Sequence, residues 1–169
     1  MRFLNNMSAR ALSFAGFLVS VGLIGIGVYL QIYENLEPCP LCMLQRICYM
    51  TLGFILLAAA VQGPGKVGMR IYAGLGFVAA LTGVGLAVRH VALQWYPPEF
   101  NACTADLFFQ LRKFPFWSVI ERALRATGDC AVVDWTLLHL SIAEWSLVWY
   151  VALAVLSIFM FRRAGRRAA

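Results

Sequence analysis

With 169 residues, 62% of them apolar and only 13% charged, and a mean hydropathy of +0.75, the chain lacks the polar surface of a soluble domain, where roughly 25% of residues are charged. Its net charge of +6 raises nucleic acid as a partner. The basic residues instead flank apolar runs, with no basic-aromatic groove or nucleic-acid motif, which argues against phosphate binding.

The charges are also unevenly placed, leaving four apolar runs. Residues 11–30 are uncharged, and at about 1.5 Å per residue they cross the roughly 30 Å hydrocarbon core. The run exceeds the 7–15 residues of a signal-peptide core and no small-residue cleavage site follows, so an uncleaved anchor is expected. A second span is expected over 43–61, a third over 71–88 and a fourth over 145–161. Gly22, Gly25 and Gly27 in the first and Gly74, Gly76, Gly83 and Gly85 in the third suggest close helix packing. The fold class expected is an all-α, four-helix membrane bundle forming a single membrane domain. Gly63-Pro64-Gly65 marks a tight turn between spans two and three.

Orientation follows from charge. Arg2, Arg10, Lys66, Arg70, Arg162, Arg163, Arg166 and Arg167 lie on one side of the bundle with no acidic residue among them. All eight acidic residues fall on the other side. The positive-inside rule then puts both termini in the cytoplasm and two loops outside, one short (about 31–42) and one long (about 89–144). Within the long loop, Phe116, Trp117, Ile120 and Leu124 recur at near-helical spacing. This fits an amphipathic helix on the membrane surface, or equally one capping the loop's own small core. Trp95, Trp117, Trp135, Trp145 and Trp149 suit an interfacial aromatic belt.

Four of the five cysteines fall outside by this reading: Cys39 with Cys42 in the short loop, and Cys103 with Cys130 in the long one. Cys39-Pro40-Leu41-Cys42 is a C-x-x-C motif at a predicted helix start, where unpaired backbone N–H groups favour a thiolate. Pro38 and Pro40 stiffen the approach. Such a motif exchanges disulfides or binds zinc. Zinc draws four ligands together, whereas no histidine separates Cys103 from Cys130, so no metal is expected. Inert disulfides are the bland alternative, but closing so short a loop removes little unfolded-chain entropy. Arg46, one turn beyond Cys42, is a costly cation near the hydrocarbon boundary. It suits a thiolate or a quinone carbonyl, or else snorkels to headgroups. His90, at the outer end of the third span, could donate to a quinone oxygen, though histidines there are often merely interfacial. Cys48 is expected to pack as a small apolar residue.

Pro38-Cys39-Pro40-Leu41-Cys42 with Gln45-Arg46, the stretch His90-Val91-Ala92-Leu93-Gln94-Trp95-Tyr96-Pro97 leading to Cys103, and Gly128-Asp129-Cys130-Ala131 with Trp135 and Leu138 together resemble the disulfide bond formation protein B (DsbB) family over nearly the whole chain. Cys48 is a thiol beyond the four the family uses, and the segment between Cys103 and Cys130 does not match residue by residue. The resemblance implies a bacterial inner-membrane enzyme that reoxidises the periplasmic thiol oxidase DsbA. It implies that Cys103 pairs with Cys130 and receives the DsbA thiolate. Cys39–Cys42 would then reoxidise that pair, and Cys42 would pass electrons to ubiquinone or menaquinone beside Arg46 and His90. A DsbA-type oxidant near −120 mV needs an acceptor stronger than glutathione pools near −200 mV, and a membrane quinone suffices. Two alternatives remain: a vitamin K epoxide reductase-like quinone oxidoreductase, whose active C-x-x-C comes near the end of its bundle, and a non-catalytic membrane protein with structural disulfides.

Overall fold

In the computed structural model, the residues described are 8–34, 39–96 and 135–166. Cys103, Cys130 and the amphipathic segment expected around 114–126 lie outside them. Four long helices dominate: α1 (Ala9–Tyr33), α2 (Pro40–Gln62), α3 (Lys66–Trp95) and α4 (Ile142–Arg166). Each is long and apolar enough to cross a membrane, as a four-helix membrane bundle requires. α2 packs between α1 and α3, and α3 packs along α4. Large apolar side chains such as Ile26, Phe54, Val78 and Val155 point outward, while alanine, serine and tyrosine occupy much of the interior. This is the distribution expected where the surrounding solvent is as apolar as the core.

The centre of the bundle is aromatic and hydrogen-bonded. Tyr150, fully buried, stacks on Tyr49 with ring centroids 4.1 Å apart and planes 10° apart. Its hydroxyl donates to the Gln45 carbonyl at 2.7 Å, and the Tyr49 hydroxyl donates to the Ser146 carbonyl at 3.1 Å. The two tyrosines thus tie α2 to α4 in both directions, leaving neither phenol unsatisfied. Gly83 admits the Tyr150 ring, which a Cβ there would overlap. The glycine-packing expectation holds at Gly83, and at Gly76 against Ser157 and Leu52. It fails at Gly22, Gly25, Gly74 and Gly85, which face open space. Mere abundance of glycine does not identify an interface.

The ends of the helices carry their own chemistry. Gly63 closes α2 in the left-handed region (φ 52°), and its N–H bonds the Ala59 carbonyl, the usual role of glycine after a helix. Arg10 of α1 donates to the Ala60 and Val61 carbonyls at 3.1 and 3.2 Å, so a cation meets the negative end of the α2 dipole. α3 has 30 residues, about 45 Å of helix, and continues well past the expected end of its span at residue 88. Arg89 and His90 interrupt the apolar run without interrupting the helix. A small antiparallel hairpin, β1 (Thr136–Leu137) and β2 (Leu140–Ser141), precedes α4. Its turn residues Leu138 and His139 have φ of 54° and 66°, the paired positive values of a type I′ turn. Ser141 and Glu144 then form a capping box for α4: the Glu144 N–H donates to Ser141 Oγ at 3.3 Å, and the Ser141 N–H to Glu144 Oε2 at 2.7 Å.

Candidate functional site

Cys39 is the N-cap of α2, and Pro40 opens its first turn. Proline suits that position because it has no N–H to leave orphaned and its φ is already helical. The Cys39 sulfur accepts from the Cys42 N–H at 3.4 Å, standing where a serine or threonine oxygen usually stands. The same turn of helix brings the two sulfurs to 3.2 Å, a contact distance. The site therefore holds a dithiol whose sulfurs need only a small approach to bond. Leu41 and Leu93 pack beside Cys39, with Leu86 at their edge. One side of the pair is apolar and both thiols remain partly exposed.

α3 supplies the third group. His90 is buried (3% exposed), with Nε2 3.7 Å from Cys39 Sγ. Its Nδ1 lies 3.4 Å from Nε2 of Gln45, which is itself 4% exposed. An amide NH2 donating to Nδ1 leaves the ring proton on Nε2, directed at the Cys39 sulfur. With the amide NH2 on Nδ1, the Nε2–H of His90 is presented to the Cys39 sulfur. Tyr150 donates to the Gln45 backbone carbonyl, which holds this turn of α2 against α4. Side-chain contacts run from Gln45 through His90 to the Cys39 sulfur.

Arg46 lies one turn along α2 from Cys42 and reaches toward α1. One guanidinium nitrogen donates to Gln31 Oε1 and the other to the Gly27 carbonyl at 2.9 Å. Both acceptors belong to α1. The arginine is half-buried and anchored within the bundle, unlike a chain snorkelling to headgroups. With five N–H donors, it keeps capacity for a further acceptor.

Of the residues singled out from the sequence, Cys39, Cys42 and His90 converge, with their ligand-capable atoms within 4.8 Å of one another. Arg46 is one turn along α2 and faces α1. Cys103 and Cys130 lie outside the described residues. Cys48 packs against the main core, as a small apolar residue does. The histidine absent from the cysteine loops is supplied by the fold, from 51 positions beyond Cys39, a third ligand-capable group that spacing along the chain does not reveal. Gln45 and Gln31 were also missed as supporting residues. An uncharged polar side chain on an otherwise apolar helix hints at a partner, because an unpaired amide is costly there, but only the fold identifies that partner.

The family model of disulfide bond formation protein DsbB matches residues 9–160. The chain is 44% identical over 156 residues to disulfide bond formation protein B of Aromatoleum aromaticum, covering 92% of this chain and 94% of that protein. It is 45% identical over 157 residues to disulfide bond formation protein B 1 of Pseudomonas aeruginosa, covering 92% and 96%. With the protein of the same name from Nitrosococcus oceani, identity is 41% over 160 residues. Similarity at this level over nearly full length, joined to four membrane-spanning helices and a C-x-x-C dithiol at a helix start, places the chain in the DsbB family of disulfide bond formation proteins.

Proposed function

We propose that the protein reoxidises a DsbA-like periplasmic thiol oxidase and delivers the electrons to a membrane quinone, from the bacterial inner membrane with both termini cytoplasmic. The observation that carries this reading is the Cys39–Cys42 pair: sulfurs 3.2 Å apart, at the positive end of a helix, and beside an imidazole. Such a pair is built to exchange between dithiol and disulfide.

Cys103 and Cys130 form the outer disulfide, and Cys103 is the sulfur that the DsbA thiolate attacks. Cys130 leaves as a thiolate. The second DsbA thiolate then displaces Cys103, so DsbA departs oxidised and the loop pair is left reduced. A loop thiolate next attacks the Cys39–Cys42 disulfide and one of its sulfurs leaves with the electron pair; the second loop thiolate then resolves this mixed disulfide, re-forming Cys103–Cys130 and leaving Cys39 and Cys42 both reduced. The N-terminal field of α2 stabilises that thiolate charge. The His90 N–H faces Cys39 and stabilises charge there.

The residues present suit a quinone. Arg46 offers donors within an apolar bundle, and His90 offers an N–H that can also move a proton. Ubiquinone or menaquinone, once bound, supplies the chemistry of a two-electron, two-proton acceptor. Arg46 would hold a carbonyl oxygen, with Cys42 one helical turn away on α2.

Purified protein with reduced DsbA and ubiquinone-1 tests the reading. DsbA thiols should be consumed in step with quinone, and Cys42→Ser or Cys103→Ser should abolish turnover. Unchanged turnover in Cys42→Ser would end the redox proposal.

A further inference from the structure

Cys39, Cys42 and His90 have a second capacity in the reduced state. We propose that they form a zinc site of two thiolates and one imidazole, so that a thiophilic divalent cation competes with disulfide formation.

The distances carry this. Tetrahedral zinc with about 2.3 Å bonds to sulfur and about 2.05 Å bonds to imidazole nitrogen holds its ligand atoms about 3.8 Å apart for two sulfurs and about 3.6 Å apart for sulfur and nitrogen. The observed values are 3.2 Å between sulfurs and 3.7 Å between Cys39 Sγ and His90 Nε2, and all three atoms fall within 4.8 Å of one another. The sulfurs must part by about 0.6 Å and Cys42 Sγ must approach the imidazole by up to about 1.2 Å to complete the tetrahedron, movements within reach of χ1 rotation in the two thiols. The elements that hold the ligands are already ordered. The N-terminal turn of α2 presents the sulfurs toward the His90 edge of α3, with Leu41 and Leu93 packed alongside.

The residue behind the imidazole fits as well. A histidine bound through Nε2 must carry its proton on Nδ1 and needs an acceptor there. Gln45 faces Nδ1 at 3.4 Å. Rotating its amide by half a turn exchanges NH2 for the carbonyl oxygen, which accepts that proton. One buried glutamine therefore serves both the metal-free and the metal-bound tautomer. The fourth position is left to water or an added thiol, as in zinc sites with three protein ligands.

The exchange balances simply. Two thiols release two protons as zinc binds, and no electron moves. Forming the disulfide removes two electrons from the same two thiolates, to the quinone acceptor proposed above, and expels the cation. Zinc and oxidation are thus mutually exclusive at one pair of sulfurs. That competition rests on the redox reading, whereas the site itself does not.

Cobalt(II) is the probe, because its thiolate charge-transfer and tetrahedral ligand-field absorption report the ligands directly. Cys103→Ser/Cys130→Ser protein, reduced and in detergent, should bind one cobalt with thiolate absorption, and zinc should displace it. Cys39→Ser should lose the signal, His90→Ala should weaken binding more than tenfold, and Gln45→Ala should weaken it about tenfold. The full chain provides a control independent of these variants. Zinc should slow alkylation of its reduced Cys39 and Cys42, and the oxidised chain should bind no cobalt. Absence of thiolate absorption, equal affinity in His90→Ala, or equal binding by oxidised protein would each overturn the site. Failure of the redox reading would show separately, as missing DsbA turnover in metal-free protein.

Discussion

Gln45 determines which nitrogen of His90 carries the proton, and through it what Cys39 meets. An N–H bond to a charged acceptor contributes about 1.5–3 kcal/mol, so removing the imidazole should slow alkylation of Cys39 by about tenfold or more. Gln45→Leu should produce a smaller slowing, because the ring remains but its tautomer is no longer set. Combining Gln45→Leu with His90→Ala should add nothing further, since the amide acts only through the ring. Additive effects in stopped-flow alkylation of the reduced protein would separate the two residues. Arg46 calls for a different readout. Arg46→Ala should raise the apparent KM for quinone far more than that for DsbA. Arg46→Lys should not restore it, because an ammonium cannot span Gln31 and Gly27 as a planar guanidinium does. Equal effects on both substrates would remove Arg46 from the quinone site. The sequence made Cys39, Cys42 and Arg46 visible through motif and cost. It left Gln45 unread because a lone amide on an apolar helix gains meaning only once its partner on another helix is known.

At the scale of elements, four apolar runs, charged only at Arg46, were legible because length and hydropathy act locally. The ends were less so. α3 runs on to Trp95 although Arg89 and His90 end its apolar run, because His90 is satisfied by Gln45 and Cys39 and Gln94 accepts from the Ser141 hydroxyl at 2.7 Å. Tertiary partners extended a helix that composition alone would have stopped. The hairpin before α4 escaped for the opposite reason. Leu138 and His139 occupy left-handed backbone that Asn-Gly would normally announce. Leu138, 76% exposed, gains little there from burial, and a non-glycine residue in that region costs about 1–2 kcal/mol. Glycine positions yield a matched prediction. Gly83→Ala should destabilise by about 1–3 kcal/mol, the cost of overpacking a filled interior, because the added methyl meets the Tyr150 ring. Gly74→Ala, which meets open space, should be neutral or stabilising by up to about 1 kcal/mol through helix propensity. Thermal unfolding in detergent measures both, and a similar loss in the two variants would contradict the packing described.

The molecule as a whole is organised by two ends of opposite character. At one end Arg10 reaches the closing carbonyls of α2, and the turn at Gly63 leads into Lys66 and Arg70. At the other end lie the dithiol, His90, the hairpin and Glu144. The membrane fixes this polarity, because moving basic flanks across it is disfavoured whereas acidic ones contribute little to orientation. The proposed chemistry needs the dithiol end outside, where a secreted thiol oxidase can reach Cys103 and hand electrons inward. The arrangement predicts a labelling pattern. In spheroplasts, a membrane-impermeant maleimide should modify reduced Cys39 and Cys42 without permeabilisation. A cysteine placed at the opposite turn by Gly65→Cys, in a Cys48→Ala background, should react only after the membrane is opened. Replacing Arg162, Arg163, Arg166 and Arg167 with alanine removes half of the eight basic residues on the Arg10 side of the bundle, and should increase the fraction of chains labelled at Gly65→Cys from outside. Labelling of Cys39 only after permeabilisation would invert the bundle, and an inverted bundle leaves its sulfurs in a reducing compartment with no DsbA to oxidise.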